Sequence, residues 1–440
     1  MKILFVSLGC DKNLVDSEKM LGMLQEKGYT FTDDEAEADV VVVNTCCFIG
    51  DAKEESINTL LQMGELKDSG QIKALIAAGC LAQRYREEIQ KEIPQVDAII
   101  GTTAIDEIVA ALEEILAGQK QNHYEDINAA PVTETNRVVT TGGHFAYLKI
   151  AEGCDKHCTY CIIPKVRGNY RSVPKESLLK EATELADKGV RELILVAQET
   201  TLYGMDLYGK KELPRLLHEL AQIPGIYWIR ILYCYPEEIT DELIDAIAAE
   251  PKVCNYLDIP IQHASDNVLK RMGRRTDQAE LRAIIGKLRE KIPDICLRTT
   301  LISGFPGETQ EDFEELYRFV NEMEFDRLGV FPYSQEEDTP AATMEDQVPQ
   351  EVKEFRRDEL MELQQEIAFD TAENMVGKEV LVMIEGKVAD ENAYVGRTYR
   401  DAPNVDGLIF VNTEEELMSG DFAKVKVSGA VDYDLIGGLI

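Results

Sequence analysis

The sequence predicts an α/β protein in three parts: an open parallel α/β sheet, a partial (βα)6 barrel and a small antiparallel β barrel of OB-like character. Short apolar runs alternate with helical patterns over most of the 440 residues, first in a series of four and then in a series of six. After about residue 375 the pattern changes to period two, with glycines at turn positions, which is typical of short antiparallel strands.

The first alternating series occupies residues 1–120, the predicted N-terminal domain. Its predicted strands are Ile3–Ser7, Asp39–Val43, Ala74–Ala78 and Ala98–Ile100. Its predicted helices are Asn13–Lys27, Lys53–Leu66, Gln83–Glu92 and Ile105–Leu116. Such alternation predicts a parallel sheet with helices on both faces. Residues 121–143 lose this periodicity and are rich in Asn, Thr, Gly and Pro, so we expect a linker there.

The second series occupies residues 144–372. Its predicted strands are Ala146–Ile150, Glu192–Val196, Trp228–Leu232, Leu257–Ile261, Cys296–Leu301 and Arg327–Phe331. Its predicted helices are Lys175–Lys188, Leu213–Gln222, Asp241–Ala249, Ala279–Lys291 and Gln310–Glu324, followed by a charged helical connector over residues 351–374. Active sites of βα barrels lie at the C-terminal ends of the strands, so functional residues are expected there. Residues 373–440 form the predicted third domain.

Composition narrows the function classes. The net charge is −35, from 81 acidic and 46 basic residues. A negative field of this size repels nucleic acid and attracts basic proteins. The alternative is that the charge only keeps the protein soluble. No apolar run is long enough to span a membrane, and the apolar start of the chain is too short for a secretory signal. We therefore expect a cytoplasmic protein. Ten cysteines in such a protein indicate metal or redox chemistry rather than disulfides.

Three cysteines follow the first barrel strand at C-x3-C-x2-C spacing: Cys154, Cys158 and Cys161. Three thiolates would bind three irons of a four-iron cluster and leave the fourth iron open to another ligand, whereas a closed cluster has four cysteines. The alternatives are three incidental thiols or a zinc site, for which His157 within the motif could act as the fourth ligand.

Three further cysteines each follow a predicted strand of the first domain: Cys10, Cys46 and Cys80. Ligands of open α/β sheets gather at the carboxyl ends of strands, so these thiols could converge on a second cluster. The alternative is ordinary buried cysteine. Cys47 is expected to point elsewhere, and the remaining cysteines are expected to be packing residues: Cys234, Cys254 and Cys296.

Around these cysteines the sequence resembles the radical S-adenosylmethionine (SAM) methylthiotransferase family. The motifs that carry the resemblance are Gly9-Cys10-Asp11-Lys12-Asn13, Asn44-Thr45-Cys46, Gly79-Cys80 with Gln83, and the Cys154 loop. The resemblance covers essentially the whole chain. It implies two 4Fe-4S clusters, one bound by Cys154, Cys158 and Cys161 and an auxiliary one bound by Cys10, Cys46 and Cys80. It also implies a C-terminal TRAM domain.

Two branches of the family differ in substrate. One methylthiolates an aspartate of a small-subunit ribosomal protein, and the other, the MiaB type, methylthiolates adenosine in tRNA. Asp11-Lys12 after Cys10, and Arg397–Pro403 in the tail, are similar to the first branch. The tail carries six basic and thirteen acidic residues, a net charge of −7, whereas an RNA-binding OB-like domain needs a positive groove. We expect a basic ribosomal protein as substrate and no direct RNA binding, with tRNA as the alternative.

The family resemblance also implies the mechanism. One SAM molecule supplies the methyl group of a methylthio group, and a second is cleaved at the Cys154 loop to give a radical that removes hydrogen from the aspartate β-carbon. An electron donor such as flavodoxin is implied. Four residues are expected near SAM: Tyr160, Gln198, Glu199 and Gly304. Gln262-His263 also end a predicted strand. A non-catalytic iron–sulfur electron carrier is the alternative from another class.

Overall fold

The computed structural model describes residues 1–440 and contains three main sheets. The first is parallel, in the order β2-β1-β3-β4-β5. Its strands are β1 (Lys2–Ser7), β2 (Thr30–Thr32), β3 (Val40–Thr45), β4 (Ala74–Ala78) and β5 (Ala98–Ile100). Its helices are α1 (Asp11–Glu26), α2 (Gly50–Asp68), α3 (Gly79–Arg84), α4 (Arg86–Glu92) and α5 (Ile108–Leu116).

The burial of this first sheet explains why its strands are continuous apolar runs. Every residue of β3 and β4 is buried, because helices cover both faces of a parallel sheet. The predicted open α/β sheet is confirmed. The edge strand β2 was not predicted, and the single helix predicted over Gln83–Glu92 is wrong, since the chain breaks at Tyr85 into α3 and α4.

The second sheet has six parallel strands in the order β6-β9-β10-β11-β12-β13 and does not close. They are β6 (Phe145–Lys149), β9 (Glu192–Val196), β10 (Trp228–Ile231), β11 (Val253–Asp258), β12 (Cys296–Ser303) and β13 (Arg327–Pro332). A two-stranded ribbon follows β6, formed by β7 (Ala151–Glu152) and β8 (Arg171–Ser172). The predicted partial barrel is thereby confirmed.

Helices lie between and after these strands. They are α6 (Ile163–Arg167), α7 (Lys175–Asp187), α8 (Met205–Tyr208), α9 (Leu213–Ala221), α10 (Asp241–Ala249), α11 (Asp266–Arg271), α12 (Gln278–Lys291), α13 (Gln310–Met323) and α14 (Gln350–Glu373). The predicted bounds of the fourth barrel strand, Leu257–Ile261, are wrong: β11 ends at Asp258. The apolar run continues after the strand as a buried turn, in which Ile259 and Ile261 pack into the barrel core.

The C-terminal domain is a closed five-stranded barrel in the order β14-β15-β16-β18-β17. Its strands are β14 (Glu379–Lys387), β15 (Ala393–Arg397), β16 (Ile409–Asn412), β17 (Phe422–Val431) and β18 (Asp434–Leu439). The expectation of a purely antiparallel barrel needs one correction, because β16 and β18 pair in parallel. Closure leaves no unpaired strand edge.

Buried ion pairs connect the three sheets. Arg137, in the segment predicted as a linker, donates to Glu18 of α1 over 2.7 Å and to Glu181 of α7 over 2.9 Å. Arg397 of the C-terminal barrel donates to Glu192 of β9 over 2.7 Å. These side chains therefore fix the first and third domains against the barrel. None of the helices combines the length and apolar character that crossing a membrane requires.

Candidate functional site

The loop after β6 and β7 carries the C-x3-C-x2-C cysteines. Gly153 begins it with φ +79°, and a Cβ at this position would lie 2.0 Å from the carbonyl oxygen of Asn169, so only glycine lets the two segments approach. The N–H of Cys154 donates to Gly168 over 3.1 Å, and the N–H of Cys161 donates to Cys158 over 3.0 Å. These backbone bonds fix the three thiols at the C-terminal end of the barrel sheet.

The thiols of this loop are shielded from water. Cys154 and Cys158 are buried and Cys161 is half-buried. Burial, together with the neighbouring Cys158 thiol, raises the pKa of Cys154 to about 12 and raises that of Cys161 as well. A thiolate here therefore needs a compensating positive charge, which a bound metal centre supplies.

The geometry of the loop bears on the choice between zinc and a cluster. His157, the candidate fourth zinc ligand, is exposed. No group of three or more His, Cys, Asp or Glu side chains is placed to hold a single metal ion. In a four-iron cluster each thiolate binds a different iron, so a cluster does not require the three thiols to meet at one point.

The three first-domain cysteines follow β1, β3 and β4, which are neighbours in the sheet. Gly9 has φ +87°, and a Cβ there would lie 2.6 Å from the Cβ of Cys46, so the residue before Cys10 must be small. Burial and the nearby Cys80 thiol raise the pKa of Cys46 to about 12. Burial also raises the pKa of Cys80, and Cys10 acts in the same direction. The structure therefore brings this trio together.

Arg167 connects the two cysteine trios. It ends α6, the short helix directly after the Cys154 loop, and its side chain is buried. Its Nε donates to the Sγ of Cys80 over 3.3 Å, and its Nη2 donates to Asn13 over 2.8 Å. Ile162 and Val166, which flank Cys161 and Arg167, pack into the core of the first domain. The helix after the Cys154 loop therefore packs on the first domain next to Cys80.

Three charged side chains surround the guanidinium of Arg167: Asp16, Glu152 and Lys149. Its Nη1 donates to Asp16 over 2.6 Å and to Glu152 over 3.1 Å. Lys149 also bonds Asp16, and it donates to Glu152 over 2.7 Å. Nearby positive charges stabilise the carboxylate of Glu152, and its pKa lies below the ordinary value despite burial. This network is neutral in sum and holds Arg167 in position.

The sequence matches three family models. They are the uncharacterized protein family UPF0004 over residues 2–101, the radical SAM superfamily over residues 148–320 and the TRAM domain over residues 376–440. The three matches fall in the first sheet, the partial barrel and the closed barrel respectively.

Curated relatives match over nearly the whole length. A ribosomal protein uS12 methylthiotransferase RimO from Lachnoclostridium phytofermentans is 63% identical, with 99% of both chains covered. The chain belongs to the RimO family. RimO proteins from Acetivibrio thermocellus and Clostridioides difficile are 50% and 49% identical, with all of this chain and 98% and 99% of theirs covered. Membership in a radical SAM family implies one 4Fe-4S cluster and SAM.

Solved structures share the fold at low identity. The radical SAM methyltransferase TsrM from Kitasatospora setae, solved with tryptophan and a SAM analogue bound, has a TM-score of 0.54 and 15% identity, with 88% of this chain and 79% of that chain covered. The cobalamin-dependent radical SAM enzyme OxsB has a TM-score of 0.52 and 13% identity, with coverage of 83% and 56%. This likeness shows a common fold.

A buried arginine beside the Cys154 loop was not predicted from the sequence of this RimO-family chain. Arg274 is 8% exposed, and its Nη2 donates to the carbonyl of Pro260 over 2.9 Å. Its Nε and Nη1 are buried without a partner. The guanidinium lies 4.4 Å from the ring centroid of Tyr235, whose hydroxyl is 3.8 Å from the Sγ of Cys158. Arg274 therefore fits an anionic group placed next to this loop.

Gln198 and Glu199, which follow β9, have different environments. Both ends of the Gln198 amide are used, because Oε1 accepts from the N–H of Gly153 over 2.8 Å and Nε2 donates to Glu152 over 3.0 Å. Gln198 thus orients the cysteine loop. Glu199 is fully buried, its Oε2 has no hydrogen-bond partner, and the nearest cation is Lys156 at 3.9 Å. Burial raises the pKa of Glu199 to about 7, and its free oxygen is available to a cationic ligand.

The glycine-rich turn after β12 is held by its own glutamate. Glu308 accepts hydrogen bonds from the N–H of Gly304 over 2.7 Å and of Phe305 over 3.1 Å, and it pairs with Arg356. A Cβ at Gly304 would lie 2.3 Å from Cγ of Lys353, so close packing alone requires glycine there. The Gly304 N–H is already occupied, and its predicted contact with SAM stays a prediction.

His263 and Tyr160 lie around this turn. His263 is fully buried, and its Nδ1 accepts from the N–H of Ser265 over 2.9 Å, while its Nε2 lies 3.5 Å from Glu308. These contacts indicate a positioning role within the turn. Tyr160 packs edge-on against Phe305 with 6.4 Å between ring centroids. The structure therefore brings the glycine-rich turn next to the cysteine loop.

Proposed function

We propose that this chain is a radical methylthiotransferase that inserts a methylthio group at the β-carbon of an aspartate in ribosomal protein uS12, using two SAM molecules. The likeness to RimO proteins over nearly the full length supports the reaction class and the substrate. One structural observation carries the assignment of the site: Arg167, directly after the Cys154 loop, contacts Cys80 of the second trio. Methylthiolation requires both proposed clusters, and this contact brings the surroundings of the two cysteine trios together.

Each cysteine trio is proposed to hold one 4Fe-4S cluster. Cys154, Cys158 and Cys161 would hold the cluster that binds SAM, and Cys10, Cys46 and Cys80 would hold the auxiliary one. When bound, the clusters supply an electron for SAM cleavage and a site for the incoming sulfur, which is chemistry that no acid–base side chain provides.

The protein side chains orient these centres and balance their charge. The positively charged guanidinium of Arg167 lies next to the sulfur of Cys80 and so favours the thiolate form of that cysteine. Arg274 offers two unpartnered donors beside Cys158, which suit the carboxylate of SAM. Glu199 offers a free oxygen for the SAM amino group, and Gln198 holds Gly153 in the conformation that the cysteine loop requires.

The substrate protein is proposed to approach through charge. Ribosomal proteins are basic, and a chain of net charge −35 steers them toward itself while it repels RNA phosphates. We do not expect direct RNA binding by the C-terminal barrel. An external donor such as flavodoxin would supply the electron, and the cytoplasm would be the place of action.

Parallel assays test this proposal. The anaerobically reconstituted protein is given uS12 or tRNA with SAM and a reductant, and each substrate is analysed by mass spectrometry. We expect a methylthio mass gain on one aspartate of uS12 and none on tRNA. The same uS12 peptide from a deletion strain should lack the modification. Modification of tRNA adenosine without modification of uS12 would overturn the assignment.

A further inference from the structure

The substrate side chain brings its own charge into the site. On the proposed function, the carbon that receives sulfur is the β-carbon of an aspartate, and the carboxylate is bonded directly to it. A carboxylate that leaves water without a cationic partner loses much free energy. The site must therefore contain a cation, close to both cysteine trios, that still has hydrogen-bond donors free for the substrate carboxylate.

Most buried cations near the trios are already saturated. Arg167 and Lys149 share Asp16 and Glu152, as described above. Lys156 pairs with Glu237 at 3.1 Å and also bonds Glu238. Each of these cations donates to two carboxylates at once, so few of its donors are left for a substrate. The free donors of Arg274 are assigned to the carboxylate of SAM in the proposed function.

Lys12 is different. It lies two residues after Cys10, it is 6% exposed, and its one carboxylate partner is the adjacent Asp11, at 2.8 Å. An ammonium group has three donors, and this contact accounts for one. The Nζ of Lys12 lies 3.3 Å from the ring centroid of Tyr233, which restricts where the ammonium can go.

Tyr233 belongs to a segment that contacts the surroundings of both trios. It has φ +60°, an unfavourable backbone conformation for a tyrosine, and its N–H donates to Asp258 over 3.0 Å. Its hydroxyl lies 3.3 Å from Asp11, and Tyr235, two residues later, reaches the Sγ of Cys158. The segment after β10 thus contacts the residues beside Cys10 on one side and the Cys154 loop on the other.

From this placement we infer that Lys12 binds the carboxylate of the substrate aspartate and so selects an acidic side chain. The ring of Tyr233 holds the ammonium group in place through a cation–π contact. Asp11 is the internal partner of the ammonium when no substrate is present. The ammonium would orient the β-carbon between the two sulfur centres, and a neutral side chain of the same shape would lack this contact.

The experiment compares two substrates on three variants. The substrates are uS12 and uS12 with asparagine at the target aspartate. The variants are Lys12→Met, Lys12→Arg and Lys27→Met, and Lys27 is exposed directly after the far end of the same helix. Binding is measured by titration of labelled uS12, and iron content is measured for each protein. Lys12→Met should weaken binding of the aspartate form by about 10-fold to 100-fold, the range of a charged hydrogen bond, and the asparagine form by less than about 3-fold.

The controls separate the outcomes. Lys12→Arg should keep most of the preference for aspartate, and Lys27→Met should keep all of it. Equal weakening of both substrates, or loss of iron in Lys12→Met, would mean that Lys12 only positions Cys10, and would overturn the inference. An unchanged preference would overturn it too. If the unmodified protein methylthiolates neither substrate, the proposed function itself fails, and this inference fails with it.

Discussion

The Nε of Arg167 donates a hydrogen bond to the Sγ of Cys80 over 3.3 Å. The two residues belong to different domains: Cys80 is a member of the first-domain trio, and Arg167 follows the Cys154 loop. Because Arg167 follows Cys161 by six residues in a short helix packed on the first domain, a shift of one trio displaces the other. Arg167 and the packing of α6 therefore couple the positions of the two cysteine trios.

Removing this guanidinium should affect the auxiliary site first. Arg167→Ala leaves Asp16 and Glu152 with one cation, Lys149, and removes the donor to Cys80. We expect iron to fall from about eight to about four per chain after reconstitution. Arg167→Lys should recover only part of the loss, since an ammonium lacks the planar fork. Arg215→Ala on the exposed face of α9 is the matched control. Full iron content in Arg167→Ala would contradict the prediction.

Replacing the cysteines of the barrel loop tests the SAM-binding assignment. The triple variant Cys154→Ala, Cys158→Ala, Cys161→Ala should keep about four irons per chain, because the other trio lies on a separate sheet. It should not cleave SAM, as measured by release of 5′-deoxyadenosine. Retention of about eight irons by this variant would show that the loop holds no cluster.

The reciprocal triple variant separates radical formation from sulfur insertion. Cys10→Ala, Cys46→Ala, Cys80→Ala should still release 5′-deoxyadenosine, since the barrel loop and its backbone contacts remain. It should transfer no methylthio group to uS12. Normal methylthiolation by this variant, measured by mass spectrometry, would show that these cysteines are structural.

Sequence patterns predicted the fold closely where burial alone decides it. Ala74–Ala78 and Glu192–Val196 match β4 and β9 to the residue, because both strands are buried along their whole length and read as unbroken apolar runs. The fourth barrel strand was misplaced because the apolar turn after Asp258 continues the same pattern. The three-residue strand β2 is too short to give a periodic signal.

Within the candidate site, sequence patterns pointed to the cysteines, by their spacing, and to Gln198 and Glu199, by their place after a predicted strand. They did not point to Arg167, Asp16 or Arg274, because these side chains act through contacts that join distant parts of the chain. Lys149 offered one usable signal: a lysine near the end of an apolar strand is expected to have a buried carboxylate partner. Which carboxylate it meets depends on the packing of α1 against β6, and no local pattern encodes that packing.

The buried carboxyl of Glu199 should make stability depend on pH. Burial raises its pKa from 4.5 to about 7. A raised carboxyl pKa gives stability that is complete below the unfolded value and is lost as pH rises through the folded value. From about pH 5.5 to pH 8 the unfolding free energy of the SAM-free protein should lose about 2 kcal/mol relative to Glu199→Gln. Urea titrations measure this, with the exposed Glu366→Gln as control. Parallel pH profiles for the two proteins would contradict the prediction.

The acidic run Glu414-Glu415-Glu416 should steer the substrate protein. All three side chains are exposed, none forms an ion pair, and they lie between β16 and β17 of a domain whose net charge is −7. Reversal of all three to lysine should lower the association rate with uS12 by about 10-fold at low salt, because steering acts on the encounter rate. Stopped-flow binding measures this rate. The difference should shrink as added salt shortens the Debye length to about 8 Å at physiological ionic strength.

A second reversal distinguishes local steering from net charge. Glu311, Glu314 and Glu322 are exposed on α13, which belongs to the partial-barrel domain rather than to the C-terminal barrel. Their replacement by lysine changes the net charge of the protein by the same amount. If the run on the C-terminal barrel lies at the contact, its reversal should slow association several times more than the reversal on α13. Equal effects would mean that only the overall field attracts uS12. If neither reversal changes the association rate, the electrostatic argument for a basic protein partner fails.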